Sequence, residues 1–304
     1  MRVVVPLLLL AAIARAAPDN LPSDCWCVLH FDIAALRKTA AYAKVVPLVA
    51  SGCEAIGLDE VGLKPEDISS LTMGWVGTEI DFEEQDMYVV LRGKIDAAKF
   101  EKYLATDGEY KATSRDGMTV FTPIEDNPQS PRPHAAVFPG GPVLVAPSGK
   151  LESLLEALKP DAPRSSISEL LATAPPAEVV SGGVITPAVR DMLREDPSAA
   201  AFAGLKSGTV TWTVGEKIEI AFRGTAEGEE AANRAAEALA AELAREVPEL
   251  KDRVQLKCEG VVVTGTLTLT VDEMMALALE DMEVGRDGEA EGEEPEEPPG
   301  GKER

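Results

Sequence analysis

Aromatic residues make up only 5% of this 304-residue chain, so the core has to be filled mainly by Val, Leu, Ile and Ala. Histidine is scarcer still. His30 and His134 are the only two, and they are the only candidates for a base near neutral pH. Neither has a nucleophile placed beside it by a recognisable motif. There is no Gly-x-Ser-x-Gly elbow. Phosphate cradles are missing too: no Gly-x-Gly-x-x-Gly opens a helix, and Ser148-Gly149-Lys150 lacks the glycine that begins a phosphate loop. Four cysteines are present, Cys25, Cys27, Cys53 and Cys258, with no Cys-x-x-Cys pair. One Cys-x-Cys and two histidines make a poor zinc site. No cofactor and no metal are expected.

Positive charge is also in short supply. Lys and Arg number 29 against 52 acids, a net charge of −23. Such a surface repels nucleic-acid phosphate and anionic lipid headgroups, which excludes nucleic acid as a partner class. With this many acids, carboxylate pairs arise by chance. Asp81, Glu83, Glu84 and Asp86 read as a solvated turn rather than a glycosidase pair.

Long apolar runs are confined to the first residues. Arg2 supplies positive charge, Val3–Ile13 is the apolar stretch, and Ala14-Arg15-Ala16 offers small residues before a cut at Ala17. That is the pattern of a secretory leader over residues 1–17, shorter than the roughly 20 residues that span a bilayer. The expected location is therefore the periplasm or the extracellular space, with no membrane span after cleavage. Export makes a disulfide plausible. Cys25 and Cys27 share one face of a strand, so either one can be the partner of Cys53.

What remains is a repeated local phrase: strand, polar cap, helix. Met87–Leu104 shows it best. Tyr88–Leu91 is a β-branched and aromatic run, Asp96 can accept the free N–H groups of the first helical turn, and Ile95 with Phe100 can form a hydrophobic staple. The phrase recurs at Cys25–Phe31 with Asp32, at Val143–Ala146 with Ser148, at Glu178–Ile185 with Thr186-Pro187, and at Val261–Thr270 with Asp272. Pro47 is expected to interrupt the helix after Asp32. Asp116-Gly117 supplies the positive φ of a tight hairpin. Val210, Trp212 and Val214 alternate with threonines, as do Leu267, Leu269 and Val271. Such alternation favours antiparallel strands with one face buried and one wet or lightly covered. Trp26, Trp75 and Trp212 all fall in strands, where core packing is the commoner reason for them.

The order strand–helix–strand–strand–helix–hairpin occurs twice. The fold class expected is α+β: two similar units, residues 18–160 and 177–282, each a mainly antiparallel sheet with helices packed on one face. A proline-rich connection, 161–176, joins them. Residues 283–304 form an acidic tail with almost nothing to bury, expected to be disordered.

The run VVLRGKIDAAKFEKYL, followed by DGMTVFTP and AAVFPGGPVLVAPS, resembles a group of uncharacterised exported bacterial proteins of the planctomycete type over about Leu71–Leu158. That resemblance implies an exported α+β module without an assigned activity, and it carries no catalytic residue over. The functional expectation is a non-enzymatic exported protein that binds a partner protein or small ligand through its sheet face or loops. The alternatives are a hydrolase built on acids with His30 or His134, and a carrier of an apolar ligand.

Overall fold

A computed structural model describes residues 19–55, 63–76, 87–106, 108–124, 132–197 and 199–277. The leader, Gly57, the acidic turn at 81–86 and the tail from 283 lie outside the described residues.

Twelve strands form one sheet in which every neighbouring pair is antiparallel. The first half of the chain contributes β1 (Cys27–Phe31), β2 (Ile68–Trp75), β3 (Met87–Gly93), β4 (Tyr110–Arg115), β5 (Met118–Pro123), β6 (His134–Val137) and β7 (Val143–Ala146). The second half contributes β8 (Val179–Val184), β9 (Leu205–Val214), β10 (Lys217–Ala226), β11 (Gln255–Glu259) and β12 (Val262–Thr270). Their order across the sheet is β11-β12-β10-β9-β8-β1-β2-β3-β7-β6-β5-β4. The first strands of the two halves meet at the centre, with Leu29 opposite Ser181. From that seam each half runs outward as first, second, third and last strand. The first half then adds β6, β5 and β4 beyond its last strand, and the second adds β11. The α+β class with an antiparallel sheet is as expected, and both sets of strands are built into a single sheet.

The helices are α1 (Ile33–Leu36), α2 (Tyr42–Ala55), α3 (Ala97–Thr106), α4 (Leu151–Ala157), α5 (Ser166–Ala172), α6 (Pro187–Glu195) and α7 (Glu229–Glu246), with a further helical stretch over 271–277. The local cap signals mostly hold. Asp32 Oδ1 accepts the Ala35 N–H at 2.7 Å, Asp96 that of Lys99 at 3.3 Å, and Thr186 that of Val189 at 3.3 Å, with Pro187 in the first turn. Asp116 and Gly117 take φ of +50° and +77° in the β4–β5 turn.

Three expectations are corrected. Pro47 lies inside α2, and the break comes earlier, at Arg37–Ala41. There the Thr39 hydroxyl and N–H both turn back to the Leu36 carbonyl and close the first helix. Ser148 does not cap α4. Gly149 at φ +71° forms a tight turn in which Lys150 N–H reaches Pro147 O, so Lys150 takes the cap position without a side-chain bond. The last helix is capped by Thr270, not Asp272. The Thr270 hydroxyl accepts the Glu273 N–H at 3.2 Å, and Glu273 Oε2 accepts the Thr270 N–H at 2.6 Å, a reciprocal capping box.

Strand register separates two faces. The face carrying Val28 and His30 continues through Tyr88, Val90, Leu144 and Val120 and packs against α4 and α5. The face carrying Leu29 continues through Met73, Leu91 and Val143 on one side and Trp212 and Ile220 on the other, and packs against α1, α3 and the 271–277 stretch. Alanines of α7 cover the Leu29 face farther out, over Ala226 and Val263. In the second half the helices that cover β10 and β12 thus lie on one face. In the first half α3 and α4 lie on opposite faces, so that part of the sheet is buried from both sides.

A strap of residues 19–26 crosses the His30 face and ties α4 and α5 to it. Asn20 Nδ2 donates to the Ala157 carbonyl at 2.9 Å, at the end of α4, and Asn20 Oδ1 accepts the Ser165 N–H at 3.1 Å, at the start of α5. Leu21 N–H reaches Ser168 Oγ at 3.2 Å, while the Leu21 side chain is sealed in the core. Gly74 makes room for it: a Cβ there would stand 2.4 Å from Leu21 Cδ1 and 2.9 Å from Cys25 Sγ.

Two outcomes are expected. Leu21→Ala empties a fully packed site and lowers stability by about 2–5 kcal/mol, read as a shifted midpoint in urea unfolding. Glu273 is held down to about 2 by the Arg253 guanidinium first and then by the N–H and hydroxyl of Thr270. A carboxyl lowered in the folded state stabilises above its ordinary value of about 4.3 and loses that contribution as pH falls toward 2. The cap of the 271–277 helix should loosen over that window, seen in carboxyl-carbon NMR titration, and Glu273→Gln should remove the transition.

Candidate ligand groove

The sequence candidates for chemistry are placed first. His30 lies in β1 at 1% exposure. Its Nδ1 is 2.6 Å from Thr72 Oγ1, directly opposite on β2. The Thr72 hydroxyl donates its one proton to Asp19 Oδ2 at 3.0 Å, so the Nδ1 of His30 is the donor in the pair. Asp19 Oδ1 in turn accepts from Arg92 Nε at 3.0 Å and Nη2 at 2.6 Å. The result is a chain from histidine through hydroxyl and carboxylate to guanidinium that runs from the core to the surface, where the Arg92 side chain is 42% exposed. It gives His30 Nδ1 and the Thr72 hydroxyl their partners, as burial demands, and the imidazole itself is too buried to meet a substrate. His134 stands half-buried at the start of β6, opposite Ala146. The structure does not bring the two histidines together: β2, β3 and β7 separate their strands.

Cys25 and Cys27 are free thiols; the side chain of Cys53, their expected partner, lies outside the described residues. Burial raises the Cys25 thiol far above its ordinary value, and the nearby Asp24 carboxylate adds to it. Burial pushes Cys27 up to about 12. Both are therefore poor nucleophiles. Trp212 and Trp26 are buried and Trp75 packs at the core's edge, in keeping with a packing role. Among the described residues no group of three or more His, Cys, Asp or Glu side chains could hold a metal ion. No described helix is long and apolar enough to cross a membrane.

The feature that chemistry-first reading misses lies on the His30 face of the second half. There the side chains of β9, β10 and β12 are mostly hydroxyls. Thr211 faces Ala221 and then Thr266; Thr209 faces Arg223 and then Thr264. Arg223 and Thr266 are exposed, and Thr264 and Thr225 are half-buried. The alternation of apolar and threonine residues predicted a face wet or lightly covered: Thr213, Thr264, Thr266 and Thr268 are open to water in whole or part, while Thr209 and Thr211 at the inner margin are buried. At its inner margin stands α5. Leu170, Thr173 and Pro175 at the end of that helix form one wall of a groove, and Thr209, Arg223 and Thr225 form the floor. The groove encloses about 410 Å³.

Arg223 makes no ion pair or hydrogen bond among the described residues. Its guanidinium has five N–H donors in a fixed fork. Threonine hydroxyls from strands on either side add rotatable donors at the same level. The set suits a carboxylate, phosphate or sulfate group, with Leu170 and Pro175 offering apolar contact to whatever carries it.

No protein-family model and no curated protein matches this chain. The resemblance to planctomycete-type exported proteins therefore has no family support. Among solved structures, one titled "Structure of crystal form I of TP0453", a bacterial protein, is similar at 10% identity. It covers 87% of this chain and 98% of that one, with a TM-score of 0.48.

The thiol chemistry is directly measurable. In native protein at pH 8, iodoacetamide should modify half-buried Cys258 well before Cys25, and peptide mass spectrometry reads the order. Equal rates would show that the strap does not protect Cys25.

Proposed function

We propose that this protein is an exported, non-enzymatic binding protein that takes a small acidic ligand on the threonine face of its sheet, anchored by Arg223. One observation carries the reading: a guanidinium unmatched among the described residues of a chain with 52 acids, set among threonines on the floor of a groove. Charge-assisted bonds from a guanidinium to an anion are roughly twice as strong as neutral ones. The groove's volume lies within the range of small-molecule sites, about 300–1,000 Å³. Export rests on the leader pattern of residues 1–17 and on an acidic, well-solvated composition.

The two alternatives gain less from the geometry. A hydrolase needs an accessible base: His30 is buried, which leaves half-buried His134 as the one histidine a substrate could reach. An apolar-ligand carrier needs a pocket without an exposed charge, and here the Arg223 guanidinium lines the groove.

The experiment is a thermal-shift screen of mono- and dicarboxylates, sugar acids and sugar phosphates. A ligand that binds only the folded state raises the melting temperature, by an amount equivalent to about 2.7 kcal/mol at a hundred times Kd. At least one anion class should do so, and Arg223→Ala should abolish the shift while leaving the unliganded midpoint within a degree or two. Thr225→Val should weaken it. A full panel with no shift, or a shift that survives Arg223→Ala, would refute the proposal. Amino-terminal sequencing of the exported protein should read from Ala17.

A further inference from the structure

The sheet has two edges, β4 and β11, and they are not equally protected. On β11 the Cys258 thiol donates to the Ala232 carbonyl of α7 at 3.6 Å, so that edge leans against a helix. On β4, Lys111 through Arg115 are all exposed. The β4–β5 hairpin closes with a two-residue turn, Arg115 opposite Met118, and the ladder continues to an Ile124 N–H bond to Glu109 O at 2.8 Å. Alternation along an antiparallel ladder then fixes which groups point inward. Glu109, Lys111, Thr113 and Arg115 bond to β5. The N–H and C=O of Tyr110, Ala112 and Ser114 point out from the edge. Such a row is a template for another strand.

From this edge we propose that β4 pairs with β4 of a second copy, antiparallel about a two-fold axis at Ala112, joining the two sheets into one. The charges select both the partner and the register. With Ala112 opposite Ala112, Tyr110 bonds to Ser114 of the second copy and the reverse, which uses every outward group. On the other face Glu109, which Arg132 also holds, then stands opposite Arg115, which also holds Glu152 and Asp116, twice, and Lys111 stands opposite Thr113, twice. Sliding the pairing one way sets Lys111 against Lys111. Sliding it the other way sets Arg115 against Lys111. Like charges directly opposite are destabilising in a sheet, so of these three registers only the Ala112-centred one avoids them. The segment Glu109–Arg115 is self-complementary.

The contact is small and the chain carries net negative charge, so association is weak and reversible, in the class of interfaces below about 1,200 Å². The test uses the purified full chain near 0.15 M salt, where long-range repulsion is screened. Sedimentation velocity up to about 1 mM should show a monomer–dimer equilibrium. Thr113→Lys sets lysine against Lys111 twice and should raise Kd about tenfold. Thr113→Glu sets a carboxylate against Lys111 twice and should lower Kd about threefold, which separates pairing from any general loss of fold. Ala112→Cys should form a disulfide-linked dimer under mild oxidation, since paired Cα atoms lie about 5.5 Å apart, inside disulfide reach. Thr113→Cys, which faces Lys111 instead, should not. A monomer at every concentration, the same shift in Kd from Thr113→Lys and Thr113→Glu, or equal cross-linking at 112 and 113 would each overturn the proposal.

Discussion

Everything in this fold hangs on β1 having a neighbour on both sides and a covering on both faces. Its five residues pair with β2 through one set of backbone groups and with β8 through the other. Val28, Leu29 and His30 are all at or below 2% exposure. Without the β1–β8 seam each half would end in an inner edge whose N–H and C=O groups were buried and unpaired, at a cost comparable to a lost hydrogen bond for each. The seam turns two sheets into one. The strap then settles the remaining polar problem at the centre. Thr72 accepts the proton of His30 Nδ1, Asp19 accepts that of Thr72, and Arg92 balances Asp19.

Local chemistry made much of this legible before any coordinates. Asp32, Asp96 and Thr186-Pro187 signal helix starts because a cap acts over three residues. Asp116-Gly117 signals a hairpin because the required backbone angles belong to those residue types. The errors are local competitions decided by a neighbour. Ser148 lost its helix to the turn made by Gly149. Asp272 lost to Thr270, which has Glu273 at the reciprocal position. Pro47 proved compatible with a helix that Thr39 had already separated from the one before. Long-range choices left no such trace. Nothing in the residues of β1 or β8 alone says that they pair, and nothing near Asn20 says that it will hold the end of α4 and the beginning of α5.

The site shows the same division. Threonine alternation on β12 marked a wet face, because a period of two separates the side that meets water; on β9 the same pattern left Thr209 and Thr211 buried. It could not reveal that Arg223 sits in register between Thr209 and Thr264, or that α5 forms the wall beside it. Those facts depend on strand order and on a helix that crosses from elsewhere in the sequence. Histidine drew attention by type, since it is the side chain that titrates near neutral pH. Burial, which only packing reveals, decided its role. Asp19 drew none, being one acid among many in a short polar stretch, yet its Arg92 partner lies 73 residues away and the pair anchors the strap.

The asymmetry between the halves follows from which of them has covers to spare. The first half is covered by α3 on one face and by α4, α5 and the strap on the other. Among the described residues, the His30 face beyond β8 has only the end of α5, and an apolar surface left there would invite association. Threonine resolves the conflict: its branched β-carbon suits an extended strand, while its hydroxyl keeps the face compatible with water. The face can therefore stay open without destabilising the sheet beneath it, whose other side is filled by Trp212, Ile218 and Ile220. A groove on such a face is preformed. Its floor is held in place by strand pairing on both sides, so a ligand arriving at Arg223 does not have to order the backbone that receives it.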